Sequence, residues 1–175
     1  MNLDSLSDFL AALERAGDLV RLGRPVRTHL EIAEIADRVM KSPGGGPALL
    51  FERPVQDDGR ESSMPVAINL YGSRRRMEIA LGVDRLDEIG DRITEMLEPK
   101  VPSGLLGKLA MLPKLAEMAK FPPRVRSGTP PCQEVVWRGD EVDLDRVPFL
   151  QTWPGDGGRY NTLPLGLPRA PRPRP

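Results

Sequence analysis

Three consecutive arginines, Arg74-Arg75-Arg76, are the residues best placed to do chemistry in this chain. They follow an apolar run and Tyr71-Gly72, and they open a helical pattern. Backbone N–H groups at a helix start, joined by guanidinium forks, can hold a phosphate or a carboxylate. The same arginines can instead form a solvated or interdomain ion-pair face with Glu78, Asp84 or Glu88, and the sequence favours that plainer role. Gly44-Gly45-Gly46 invites comparison with a phosphate-cradling loop. Such loops run from a strand into a helix, so that the helix N-terminus faces the anion. Here the order is helix, glycines, strand, which predicts a flexible connection.

Cys132 and His29 are the only residues of their kinds. A thiolate nucleophile needs a neighbouring base, and a polar residue such as His29 at a helix start is ordinary. Structural zinc sites need four Cys or His ligands, more than the chain has. Arg138-Gly139-Asp140 predicts a turn, and Asp140, Glu141, Asp143 and Asp145 a solvated acidic edge. Residue chemistry alone therefore identifies no active site.

The elements that must position these residues are legible in the first half of the chain. Asp4 and Ser5 can cap a helix whose apolar face is Leu6, Phe9, Leu10 and Leu13, with Gly17 as its stop. LVRLGRPV predicts a short strand. Thr28-His29-Leu30-Glu31 has the form of a capping box for a helix carrying Leu30, Ile32, Ala33, Ile35, Ala36 and Val39. PALLFERP and MPVAINLYG predict strands, and helical patterns follow around Arg75–Leu81 and Arg85–Leu97. Residues 105–120 predict a helix interrupted near Pro113. CQEVVW predicts a strand, RGDEVDLDR a turn and connection, and RYNTLPL the start of a further strand.

The 175 residues suffice for one domain, or for one and part of a second. Lysine plus arginine and aspartate plus glutamate both number 25, a balance that argues against a nucleic-acid partner. No apolar run approaches the roughly 18 residues a membrane span needs. A single cysteine fits a reducing, cytoplasmic setting.

Several stretches occur in one order: LSDFLAALERAGDLVRL, HLEIAEIADRV, GGGPALLFERP, NLYGSRRRMEIALGV and PCQEVVWRGDEVDLDRVPFLQTWPGDGGRY. In these the chain resembles the UbiD family of decarboxylases, over about Leu3 to Leu165. The last stretch, with Pro-Cys-Gln, Asp-Val-Asp-Leu and Trp-Pro-Gly-Asp, is the most specific. The resemblance implies an α/β (α+β) N-terminal domain at 1–98, a linker and broken helix at 99–124, and the start of a split β-barrel flavin-binding domain at 125–165. It implies non-oxidative (de)carboxylation of aromatic or α,β-unsaturated acids, with polyprenyl-hydroxybenzoate in quinone synthesis as one substrate of the family. It also implies prenylated FMN, Mn2+ and K+ in full-length members, and a homo-oligomer. The family's Glu-Arg-Glu proton network and its Asn-Gly-Tyr-Arg motif lie beyond the threonine equivalent to Thr162. Only Thr162 carries over, as a flavin contact, and Asn161 before it replaces an apolar strand residue of the family. No catalytic or metal-binding residue carries over, which implies a fragment that binds no cofactor and is inactive alone.

The prolines of the Pro/Arg-rich stretch 166–175 lack the N–H that a central strand needs at each ladder position. The expectation is truncation by a shifted reading frame. The competing one is a polyproline-type tail on a non-catalytic binding or assembly module.

Overall fold

A computed structural model describes residues 3–97 and 127–160. The broken helix expected at 105–120, the tail at 166–175 and Thr162 lie outside the described residues. The chain divides into two compact units, Met1–Gly82 with Leu144–Pro175, and Val83–Asp143.

In the first unit, helix α1 spans Leu6–Arg15, and Ser5 caps it by accepting a hydrogen bond from the Asp8 N–H at 3.1 Å. Gly17, with φ +70°, turns the chain out of the helix so that Asp18 can lead into strand β1, Leu19–Arg27. Helix α2, Glu31–Met40, follows, and then strand β2, Ala48–Val55. Strand β3 is only Val66–Ile68, shorter than the sequence suggested, and helix α3 covers Arg74–Leu81. The sheet order is β1-β2-β3, with β1 parallel and β3 antiparallel to β2.

The β2 residues Ala48, Leu49, Leu50 and Phe51 are all buried, without the alternation of a half-exposed strand. The reason is that helices cover both faces. Leu49 and Phe51 point into a cluster with Val26 of β1 and Ile32 and Ala36 of α2. Ala48 points the other way, to Phe9 and Leu13 of α1 and to Ile79 and Ala80 of α3. Burying each large apolar side chain of this kind contributes about 1.5–3 kcal/mol.

The capping box expected at Thr28 does not form. Thr28 is fully buried, and both its N–H and its hydroxyl donate to the Val55 carbonyl, at 2.8 and 3.2 Å. The strand edge thus takes the groups a cap would use. Leu30 instead stands at the N-cap of α2, without a side-chain cap, and Glu31 accepts from the Arg27 N–H at 2.9 Å.

In the second unit, helix α4 spans Asp87–Leu97, and the Arg85 N–H donates to Glu88 at 3.0 Å. The strand expected at Cys132–Trp137 is absent. A short 3-10 turn occupies Pro131–Gln133, and the residues up to Arg138 are irregular. The acidic stretch forms two further turns, Gly139–Glu141 in this unit and Leu144–Arg146 in the first. Among the described residues no helix is long and apolar enough to cross a membrane.

Candidate functional site

Two polar constructions stand out in the first unit. One is buried. Arg76 has no exposed surface, although it sits in the first turn of α3, where the sequence suggested a solvated face or an anion site. Its Nη1 donates to Asp18 Oδ1 at 2.9 Å and to the Gly46 carbonyl at 2.6 Å. The expected partners Glu78, Asp84 and Glu88 are not the ones it uses. Asn69, at φ +59°, donates through Nδ2 to the carbonyls of Gly45 and Pro47 at 2.8 and 2.9 Å. Asparagine tolerates the left-handed region better than most residues.

The glycine segment between these side chains is not a loose connection. A Cβ at Gly45 would stand 1.9 Å from the Gly72 carbonyl oxygen, and one at Gly46 2.3 Å from that of Val39. A Cβ at Gly72 would stand 1.8 Å from Asn69 Oδ1 and 2.9 Å from Arg76 Nη2. These glycines let α2, β2 and α3 close on one polar knot, which ties the start of β1 to the start of α3. The segment turns the Gly46 carbonyl toward the guanidinium and the Gly45 carbonyl toward Asn69, so it does not present the N–H groups a phosphate needs.

The second construction is open. A groove of about 490 Å³ is lined by Arg27, His29, Val55, Gln56, Asp57, Gly59 and Gln151. A neighbouring one, of about 560 Å³, is lined by Arg27, His29, Leu30, Glu31 and Glu34. His29 lies between them, half-exposed, with Nδ1 4.0 Å from Asp57 Oδ1. Gln151 comes from the far end of the sequence and forms a parallel bridge with His29. Downstream, Asp156 Oδ2 accepts from the Thr152 N–H at 3.2 Å, the Thr152 hydroxyl at 3.0 Å and the Trp153 N–H at 2.8 Å. With its proton given to Asp156, the Thr152 hydroxyl accepts from Tyr160, 2.7 Å away. Arg159 pairs with Asp145 and lies 3.7 Å from Asp57 Oδ2.

Glu14 is lowered by its hydrogen bonds from Arg21, Glu61 by those from Arg53, and Asp58 by the Arg60 backbone N–H and then its side chain. All three are exposed, and none lines the groove. No three His, Cys, Asp or Glu side chains gather as metal ligands among the described residues. Cys132 lies in a 3-10 turn of the second unit, and His29 in the first. Sequence reasoning missed Asp18, Asn69, Asp57, Gln151 and Arg159. Only Asn69 left a signal, as the turn-forming residue that ends an apolar run ahead of Gly72.

Comparison with known proteins gives this architecture its class. Residues 10–93 match the N-terminal domain of 3-octaprenyl-4-hydroxybenzoate carboxy-lyase, and residues 123–174 match the Rift-related domain of the same enzyme family. The chain belongs to the UbiD family, a family of carboxy-lyases, and carries its N-terminal part. It is similar to an evolved dimeric form of the UbiD-class enzyme HmfF from Pelotomaculum thermopropionicum in complex with prFMN. That match has 26% identity and a TM-score of 0.59, over 90% of this chain and 30% of the other. HmfF in complex with FMN matches at 27% identity and a TM-score of 0.55, over 88% of this chain and 28% of that one. The closed form of vanillic acid decarboxylase from Sedimentibacter hydroxybenzoicus shares the fold, with 22% identity and a TM-score of 0.63, over 91% and 29% of the two chains. The chain thus spans under a third of the length of these solved relatives.

Proposed function

We propose that this chain supplies the N-terminal domain and the opening of the flavin-binding barrel of a UbiD-type (de)carboxylase of aromatic or α,β-unsaturated acids. The observation that carries this is the occurrence, in order, of both UbiD family matches, at 10–93 and 123–174. The HmfF complexes support a flavin, prFMN or FMN, as the cofactor of the assembled site. The domain division is the one read from the sequence, 1–98, 99–124 and 125–165, with the split barrel opening in the last part. In this reading Thr162 contacts prenylated FMN, while Mn2+ and K+ belong to the completed barrel. In this reading the described residues make no flavin contact of their own: the glycine segment is closed against Val39 and Gly72, and its Gly46 carbonyl accepts from Arg76. Their work is to hold and orient the chain that leads to Thr162.

Bound prenylated FMN would act as an electron sink for the substrate. None of this chain's residues matches the family's Glu-Arg-Glu network, so the chain alone turns over no acid. The substrate is a small aromatic acid, with polyprenyl-hydroxybenzoate suggested by the family matched. A homo-oligomer in a reducing cytoplasm completes the reading.

The test is an in-frame fusion of residues 1–165 to the remaining domains of a UbiD-class relative, loaded with prFMN and manganese. It should release CO2 from a hydroxybenzoic or cinnamic acid, while the unfused chain gives none above a no-protein control. Turnover by the unfused chain would defeat the division of labour proposed.

A further inference from the structure

The two family matches divide at residues 93 and 123, yet the described residues 144–160 belong to the same compact unit as the N-terminal sheet. The contacts that seat them there are specific. Leu30 has φ +62°, a left-handed conformation that leucine, lacking a local side-chain acceptor, rarely adopts. In this geometry the Leu30 N–H donates to the Gln151 carbonyl at 3.0 Å. Leu150, one residue earlier, packs against the cluster of Val26, Ile32 and Phe51. Tyr160 returns to the same point, its N–H donating to the Leu150 carbonyl at 3.2 Å. Between them, Asp156 gathers its three hydrogen bonds and stiffens the turn. The second leg is held by Arg159, whose guanidinium lies between Asp145 of the segment and Asp57 of the β2–β3 connection.

We propose that residues 150–160 form a strut seated on the end of the N-terminal sheet, and that Arg159 is its positioning residue. The seat consists of the Leu30 N–H, the bridge at His29 and the Asp57 carboxylate. Its effect is to fix where the chain leaves Tyr160. An arginine meant for a phosphate would not stand between two carboxylates, with only 23% of its side chain exposed. Its charge is already matched, and its fork is spent on geometry. Backbone strain held by a long-range contact, as at Leu30, is the kind of feature that marks an over-determined functional position. The strut deepens the proposed function and rests on it only for one consequence, the placement of Thr162 three residues after Arg159.

The test is amide hydrogen exchange, residue by residue, on the full chain without flavin. Arg159→Ala should raise exchange at Leu30 and Tyr160 about fivefold, the scale of a partly exposed ion pair. Exchange at Leu50 and Phe51 in β2 should stay unchanged. Arg159→Lys should restore part of the protection, because it keeps the charge but loses the fork. Should Arg159→Ala not fold, Asp57→Asn reads the same amides while leaving the Asp145 pair intact. Unchanged exchange at Leu30 and Tyr160, or an equal rise at Leu50 and Phe51, would overturn the proposal. Wild-type protection at Leu30 and Tyr160, in a fusion that binds no prFMN, would remove the flavin reading and leave the strut standing.

Discussion

Two short apolar runs in this protein meet opposite fates. In β2, Ala48 to Phe51 are 0–5% exposed, with β1 on one side and β3 on the other. In Cys132–Trp137, Val135 is 74% and Val136 53% exposed, and no strand forms. Both runs carry residues that favour strands. The difference is that β2 has partners for its backbone N–H and C=O groups and helices for both faces. Strand propensity describes how a side chain fits a pleated, covered surface, not a preference the backbone has on its own. Without neighbours to complete the ladder, an isolated strand leaves its polar backbone to water.

Substitutions can sharpen that contrast. Phe51→Ala should cost about 3–5 kcal/mol by removing a fully buried ring from the centre of the sheet. Val136→Ala should stay within about 0.5 kcal/mol, as for other exposed positions. Urea denaturation of the two variants measures both. A comparable loss at Val136 would mean that this run is covered in solution.

Arg76→Ala should come next, at about 3 kcal/mol, because Asp18 and the Gly46 carbonyl lose their shared partner. Retained stability would show that the knot merely accompanies the fold. Gly45→Ala should cost roughly 1–3 kcal/mol, since its methyl meets the Gly72 backbone at φ +85°. Gly59→Ala, with φ +82° but open space around it, should cost less, and thermal melts would rank the pair.

The smallest effect concerns pH. Glu14 and Glu61 are lowered from 4.5, and Asp58 from 3.8, by arginine and backbone donors. A carboxylate lowered in the folded state stabilises fully above its unfolded value, and that stability is lost as pH falls through the folded one. The melting temperature should therefore decline slightly below pH 4.5, and less steeply in Glu14→Gln/Glu61→Gln. High salt should mute the difference, because these pairs are exposed.

Much of the local structure was legible in advance. The i, i+3, i+4, i+7 pattern and the Ser5 cap placed α1, and the apolar period placed α2. PALLFERP became β2 because four apolar residues in succession suit a strand covered twice. The two helices depend on neighbours within a turn or two of chain, so sequence alone determines them, whereas β2 also needed β1, β3 and the covering helices. The family resemblance was legible for a similar reason, as spaced motifs along the chain.

Partnership was decided only by the tertiary structure. Thr28 had the chemistry of a cap, but Val55, 27 residues away, claimed its N–H and hydroxyl. Arg76 had the sequence of a surface arginine, but Asp18 and Gly46 enclosed it. Arg159 and Asp57 lie about a hundred positions apart, and nothing in either residue names the other. A polar group is satisfied by whichever complement the packed chain brings within hydrogen-bond distance. That complement is set by the crossing of helices and strands, which no local pattern encodes.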